Sequence, residues 1–263
     1  MSNIRNSLIR ERGLLMLTDI QTRILSAFSR EVQVDDGSSA AVEGPLKILE
    51  WSYPNLREMI AGKTILDFGC GYGDQAAAMV RKYGAIVTGV DSDDGYLAEG
   101  IRRYSGECEL LKAVPPGRKW DVVTSINCME HYPDPGAALD QMLEAVKPGG
   151  KILMTFGPLW WAPWGSHMNF FCQIPWLQLW FSEKAIMAVR SKYRNDGAVR
   201  FEECREGLNR MSVRKFERLM QLKRSSAKSI SVRLSAVKRI QFLTHIPVLR
   251  ELFTSHIIAE LDR

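Results

Sequence analysis

Apolar positions change their period along this chain, and each change marks a different kind of element. Between residues 1 and 34, Ile4, Leu8, Leu15, Ile20, Ile24, Leu25 and Phe28 recur at three- and four-residue spacings, which predicts an amphipathic helix. Asp35 to Ser39 is a polar loop, and a second helix is expected from about Pro45 to Met59. Short apolar runs then alternate with helical stretches. Strands are expected near 64–68, 86–90, 108–111, 121–126 and 151–156, with helices near 74–83, 93–103 and 136–147. That alternation predicts an α/β fold, a doubly wound parallel sheet with right-handed crossovers.

After Gly157 the alternation stops. Residues 158–227 hold five of the seven tryptophans (Trp160, Trp161, Trp164, Trp176, Trp180) with Phe170, Phe171 and Phe181, then a basic helical stretch containing Arg190, Lys192 and Arg194. The four-residue spacing of Trp176 and Trp180 places both on one helix face, as a small second core beneath the insertion requires. The strand pattern returns at Ser229–Ser235 and His256–Leu261.

With 263 residues, one α/β core with an elaboration is the expected organisation. No apolar run approaches the roughly 20 residues needed to span a bilayer. Arg5, Arg10, Glu11 and Arg12 precede only a short apolar run, Leu14 to Leu17, unlike a secretory leader, so a cytoplasmic location is expected. The five cysteines are odd in number and lack zinc-like spacing, so reduced thiols and no metal site are expected. The net charge of +5 is concentrated: residues 183–240 carry sixteen Lys and Arg against six Asp and Glu. Such a stretch is either a solvated helical face or a surface for an anionic small-molecule substrate or an acidic membrane. Nucleic acid is not expected, because no recognisable binding module accompanies the charge.

The candidate chemistry starts at Thr64-Ile-Leu-Asp-Phe-Gly-Cys-Gly-Tyr-Gly-Asp74. A strand ends in Asp67, and Gly69, Gly71 and Gly73 follow before a helix opening near Asp74. A second strand, Val87-Thr-Gly-Val-Asp-Ser92, ends in Asp91, whose carboxylate can accept from two ribose hydroxyls. Dinucleotide folds use Gly-x-Gly-x-x-Gly to seat a pyrophosphate on the helix N-terminus, and here a phosphate would meet Asp67 instead. S-adenosylmethionine suits the loop better: it has no phosphate, and its ammonium and sulfonium tolerate a carboxylate. Gly62-Lys63-Thr64 is no phosphate loop, because the required upstream glycine is Arg57.

These residues resemble motif I and the following acidic loop of the class I S-adenosylmethionine-dependent methyltransferases. The likeness continues through Asp121-Val-Val-Thr-Ser-Ile-Asn-Cys-Met-Glu-His-Tyr-Pro-Asp-Pro135 and Val146-Lys-Pro-Gly-Gly-Lys-Ile-Leu-Met154, in the manner of the type 11 group. It implies a Rossmann-like seven-stranded sheet with the last strand antiparallel. Residues 1–60 would be cap helices over the cofactor, 61–157 and 228–263 the core, and 158–227 a helical insertion between strands five and six serving as substrate lid. It also implies cofactor contacts by Asp67, Gly69, Cys70, Gly71, Gly73, Asp91, Ser92 and Asn127, with Cys128 nearby. The loop Ala113–Gly117 lacks the acidic residue that many members offer to adenine.

Methyl transfer to an alcohol needs a base, and the chain has only four histidines. His245 and His256 fall in the C-terminal region. His131 follows strand four, where it either meets the substrate or orders its loop. His167 lies in Gly157-Pro-Leu-Trp-Trp-Ala-Pro-Trp-Gly-Ser-His167, a run similar to one in type 11 members associated with glycan and polysaccharide assembly; it is the preferred base, against a role in bonding the loop backbone. The resemblance therefore implies O-methylation of a sugar hydroxyl in a glycan or its nucleotide- or lipid-linked precursor. Two alternatives stand beside it: a membrane lipid or quinone acceptor, with Phe170 to Phe181 contacting the membrane peripherally, and a non-catalytic binding subunit that keeps the fold.

Overall fold

The computed structural model describes residues 2–32, 44, 46–205, 207–237 and 240–263. The expected loop at Asp35–Ser39 and helix start at Pro45 lie outside the described residues. The chain opens with helix α1 (Ser2–Phe28), then α2 (Leu46–Ser52) and α3 (Leu56–Ile60). The alternating part follows as β1 (Thr64–Phe68), α4 (Asp74–Tyr83), β2 (Ile86–Val90), α5 (Asp94–Tyr104), β3 (Glu109–Leu111), β4 (Trp120–Ile126), α6 (Pro135–Ala145) and β5 (Val146–Phe156). After β5 come α7 (Leu177–Trp180), α8 (Glu183–Arg190), α9 (Val213–Leu222), β6 (Ser229–Ala236), α10 (Leu249–Phe253) and β7 (Thr254–Asp262).

Seven strands form one sheet in the order β3-β2-β1-β4-β5-β7-β6. β7 runs antiparallel to both neighbours, and the other strand pairs are parallel. The winding direction reverses between β1 and β4. In doubly wound sheets the crevice at that reversal, beyond the carboxyl ends of the strands, is where ligands bind.

Each face of the sheet buries one core. Alternation along β1 sends Leu66 and Phe68 to the side covered by α6, and Ile65 to the side covered by α2, α3 and α4. The run Ala76-Ala77-Ala78 lets α4 approach the sheet closely, since all three are fully buried and carry only a methyl group. Local signals set the helix starts. Asp134 Oδ1 accepts from the backbone N–H groups of Gly136 and Ala137 with Pro135 at the first helical position, so the Asp-Pro pair is the cap of α6.

Two expected boundaries shift. Helix α9 lies within the stretch assigned to the insertion, yet Val213, Phe216 and Met220 are buried in the sheet core with Phe156 and Leu159. Its apolar face repeats at three- and four-residue steps, and the open flank of β5 and β7 supplies the matching surface. The separate third core is built from residues 160–208 together with Leu25 of α1. Helix α1 therefore packs on the insertion: Gln21 Oε1 accepts from Ser182, and Arg30 N and Val32 N donate to the carbonyls of Phe171 and Phe170. The tryptophans also divide. Trp160 is buried in the third core, whereas Trp176 precedes α7 in a left-handed conformation with φ 55° and Trp180 is 64% exposed. The shared buried face expected for Trp176 and Trp180 is thus not formed.

Candidate active site

The glycine loop is stitched to the end of β2. Gly69 N and Cys70 N both donate to the carbonyl of Val90, at 2.8 and 3.0 Å. Asp91 Oδ2 accepts from Gly71 N at 2.8 Å, while its Oδ1 accepts from Asp93 N at 2.9 Å. Asp91 thus fixes the loop before it meets any ligand, and each carboxylate oxygen keeps acceptor capacity for a hydroxyl.

Two of the loop glycines are required for different reasons. Gly69 has φ +83°, and a Cβ there would lie 2.6 Å from Cys128 Sγ and 2.9 Å from Tyr132 Oη, so the protein's own packing excludes a side chain. Gly71 has φ +52°, and a Cβ there would meet nothing within 4 Å, so its open side is available to a ligand.

Asp67 is buried at the end of β1. Its Oδ1 accepts from Thr124 Oγ1 and Gln75 Nε2, each at 2.9 Å, and Oδ2 has no hydrogen-bond partner. Burial pushes the carboxyl up to about 6, with the like charge of Asp91 adding to it and the Thr124 and Gln75 bonds opposing it. Asn127, just past β4, sits in a left-handed conformation with φ 55°. Its N–H donates to Thr155 O, and its buried Oδ1 lacks a partner. Two buried acceptors without donors, at the ends of the strands that bracket the crevice, suit a ligand bearing cationic or N–H groups. The residues therefore fit S-adenosylmethionine.

Cys70 turns its side chain away from the open side of the loop. Its Sγ is directed at the β2 strand, where a Cβ on Gly89 would come within 2.7 Å of it, so only its backbone borders the loop's open side. Burial, reinforced by Asp67 and Asp91, pushes this thiol up and keeps it protonated. Cys128 donates to the carbonyls of Gly69 and Ile126, which makes it a brace beneath the loop. Ser92 is exposed on the turn into α5.

His131 and His167 are brought together. Their ring centroids are 5.2 Å apart in an edge-to-face arrangement. His131 Nδ1 lies 2.8 Å from the carbonyl of Gly207, and His167 Nε2 lies 3.1 Å from the carbonyl of Pro158. A carbonyl can only accept, so each of these nitrogens carries the proton. In the tautomer with its proton on Nδ1, the His131 lone pair is on Nε2. His256 instead packs edge-on against Trp51, where burial pushes its imidazole down, and His245 ends a 3-10 turn after β6. Neither joins the pair.

Asn209 and Arg205 carry no sequence signal, and Glu130 stands out in the sequence only as part of the Glu-His turn. Glu130 Oε1 accepts from Gly157 N at 2.9 Å and ties the His131 loop to the exit of β5, where Gly157-Pro158 is cis. Asn209 Nδ2 donates to the carbonyls of Met129 and Tyr132, both at 2.8 Å. Arg205 reaches Asp93 at 3.3 Å and lies 4.5 Å over the Tyr96 ring, so the insertion touches the acidic turn after β2. Segment 205–209 is far from these loops in sequence, and no spacing rule links them. Among the described residues, no group of three or more His, Cys, Asp and Glu side chains is placed to hold a metal ion.

A family model described as a methyltransferase domain matches residues 53–222. The ubiquinone biosynthesis O-methyltransferase of Azotobacter vinelandii is 35% identical over 121 residues, covering 42% of this chain and 50% of that protein. The enzyme of the same name from Pseudomonas paraeruginosa is 36% identical over 111 residues, covering 38% and 46%. The chain thus matches about half the length of these curated relatives. Among solved structures, the plantazolicin methyltransferase BpumL, in complex with a pentazolic desmethylPZN analog and SAH, superposes with a TM-score of 0.53 at 16% identity, over 87% of each chain. Haemonchus contortus phosphoethanolamine N-methyltransferase 2, in complex with phosphomonomethylethanolamine and S-adenosylhomocysteine, gives 0.51 at 16%, over 83% of this chain and 52% of that one. At that identity the likeness is one of fold.

Proposed function

This chain belongs to the methyltransferase-domain family as an S-adenosylmethionine-dependent enzyme, and on that premise we propose that it methylates a hydroxyl oxygen on a membrane lipid or quinone-type acceptor, with His131 as base. The observation that carries the reading is the edge-to-face His131–His167 pair at the carboxyl ends of β4 and β5. When bound, the cofactor supplies an electrophilic methyl group on a sulfonium. The roles of this chain's residues follow from their chemistry. Asp91 accepts from ribose hydroxyls, and the unpartnered Asp67 Oδ2 and Asn127 Oδ1 accept from cationic or N–H groups.

His131 takes the acceptor's proton at Nε2, because Gly207 holds the proton on Nδ1. His167, expected from the sequence to be the base, donates Nε2–H to Pro158 and sets the edge of the His131 ring. It is a positioning residue in this reading. The quinone-type acceptor is preferred because the curated relatives are named for ubiquinone biosynthesis. A glycan hydroxyl is the second reading, favoured by the exposed Trp161, whose indole face in the His167 loop is of the kind that stacks on sugar rings.

The test offers methyl-labelled cofactor with a hydroxylated quinone precursor in one arm and a polysaccharide fraction in the other. Label in the quinone arm is expected. Substituting His131 by Ala should lower kcat by roughly 10²–10⁴-fold, the usual contribution of a general base, with S-adenosylhomocysteine affinity unchanged. Full turnover in that variant would remove His131 as base, and label confined to polysaccharide would select the glycan reading.

A further inference from the structure

One face of α1 is held and the adjoining face is bare. Leu25 is buried in the insertion's core, Lys192 Nζ donates to Ser26 Oγ at 2.9 Å, and Gln21 holds Ser182. On the next face, Leu17, Ile20, Ile24 and Phe28 recur at three- and four-residue steps and are 54%, 45%, 47% and 66% exposed. Leu179 and Trp180 of α7 are also exposed and lie three and two positions before Ser182, so exposed apolar side chains flank the Gln21–Ser182 junction. Isolated exposed apolar side chains are ordinary, but a row of them on one helix face is not.

We propose that this face docks peripherally on an anionic lipid surface. The charge around it selects that occupant. Arg23 on α1, Arg30 just after it, and Lys184 and Arg194 of the adjoining insertion are exposed, against Asp19 on α1 and Glu31 after it. The nearby Glu183 and Asp196 are already paired with Arg210 and Arg190. A second copy of the chain would set these cations against their own equivalents, whereas lipid phosphates neutralise them. No helix among the described residues is long and apolar enough to cross a membrane, so the stripe lies in the interface plane.

Phe170 and Phe171, whose carbonyls hold the chain after α1, lie three and four positions after His167. The inference does not depend on the acceptor's identity. It extends the membrane contact expected for Phe170 to Phe181 onto α1 and narrows it within that stretch to Leu179 and Trp180, because Phe171 is fully buried and Phe170 is covered by the Arg194 guanidinium.

The experiment is co-sedimentation of the full chain with phosphatidylcholine vesicles, with and without phosphatidylglycerol. Size-exclusion chromatography with light scattering runs in parallel, and S-adenosylhomocysteine binding serves as the folding check. Binding is expected only to the anionic vesicles, weakening with salt and falling at least about tenfold in the Ile20→Asp, Ile24→Asp double variant. A Trp180→Ser variant should lose about threefold. Retention of the wild type in the supernatant, equal binding by the folded double variant, or a wild-type dimer that the double variant splits into monomers without any vesicle binding would each overturn the proposal.

Discussion

At the scale of single residues, the proposed contact of Asp67 with the cofactor predicts pH-dependent binding. Burial holds it near 6 against an ordinary value of 3.8, so its protonated form favours the folded state. Its contribution to stability is fully present below about pH 4 and is lost as pH rises through about 6. A ligand ammonium favours the opposite, ionised form. Affinity for S-adenosylhomocysteine should therefore fall as pH drops below about 6, toward about tenfold per pH unit, and calorimetry between pH 5 and 7.5 would measure it. The Asp67→Asn variant should bind weakly with a flat profile; an unchanged slope would show that another group is responsible. The glycines separate stability from binding in the same loop. Gly69→Ala should cost at least about 2 kcal/mol in denaturant unfolding, because positive φ and the contacts to Cys128 and Tyr132 both oppose it. Gly71→Ala should cost only the left-handed backbone penalty of about 1–2 kcal/mol while weakening the cofactor complex.

Among elements, α9 shows where sequence pattern and packing part. Its Ser212 cap and amphipathic repeat mark a helix, but nothing in those residues says which of two cores they enter. Phe216 meets Phe156 at 4.9 Å between ring centroids in the sheet core. Phe216→Ala should therefore destabilise the whole fold by about 3–5 kcal/mol, whereas Trp180→Ala should stay within about 0.5 kcal/mol; urea unfolding of both variants checks the contrast. The strands, the glycine loop and the Asp91 cradle were legible because their signals are local: apolar runs, turn residues, a carboxylate at a strand end. What was not legible depends on distant partners. The Cys70 side chain turns toward Gly89, His131 is oriented by a carbonyl seventy-six positions away, and Trp180 finds no cover. Residue type states what each can do, and only the packing states which neighbour it meets.

For the molecule as a whole, an exposed contact joins the insertion to the cofactor cradle. Arg205 crosses to Asp93 and stacks on Tyr96, which itself lies 4.6 Å from the Tyr72 ring of the glycine loop. An exposed ion pair of this kind contributes at most about 1 kcal/mol. Arg205→Ala should then weaken S-adenosylhomocysteine binding by about two- to fivefold, with faster dissociation in stopped-flow displacement; a loss of a hundredfold would mean that Arg205 touches the ligand itself. The interleaved strand β7 bears on a different matter, the order of assembly. β5 is flanked on one side by β4 and on the other by β7, and their register sets Lys151 against Asp262, so about a hundred residues must be synthesised before that edge is covered. Pairing at such separation is slow, and unpaired edges attract other chains. During that interval the nascent protein carries an open, largely apolar strand, Ile152 to Phe156, whose free edge is exposed to pairing with other chains until β7 is made.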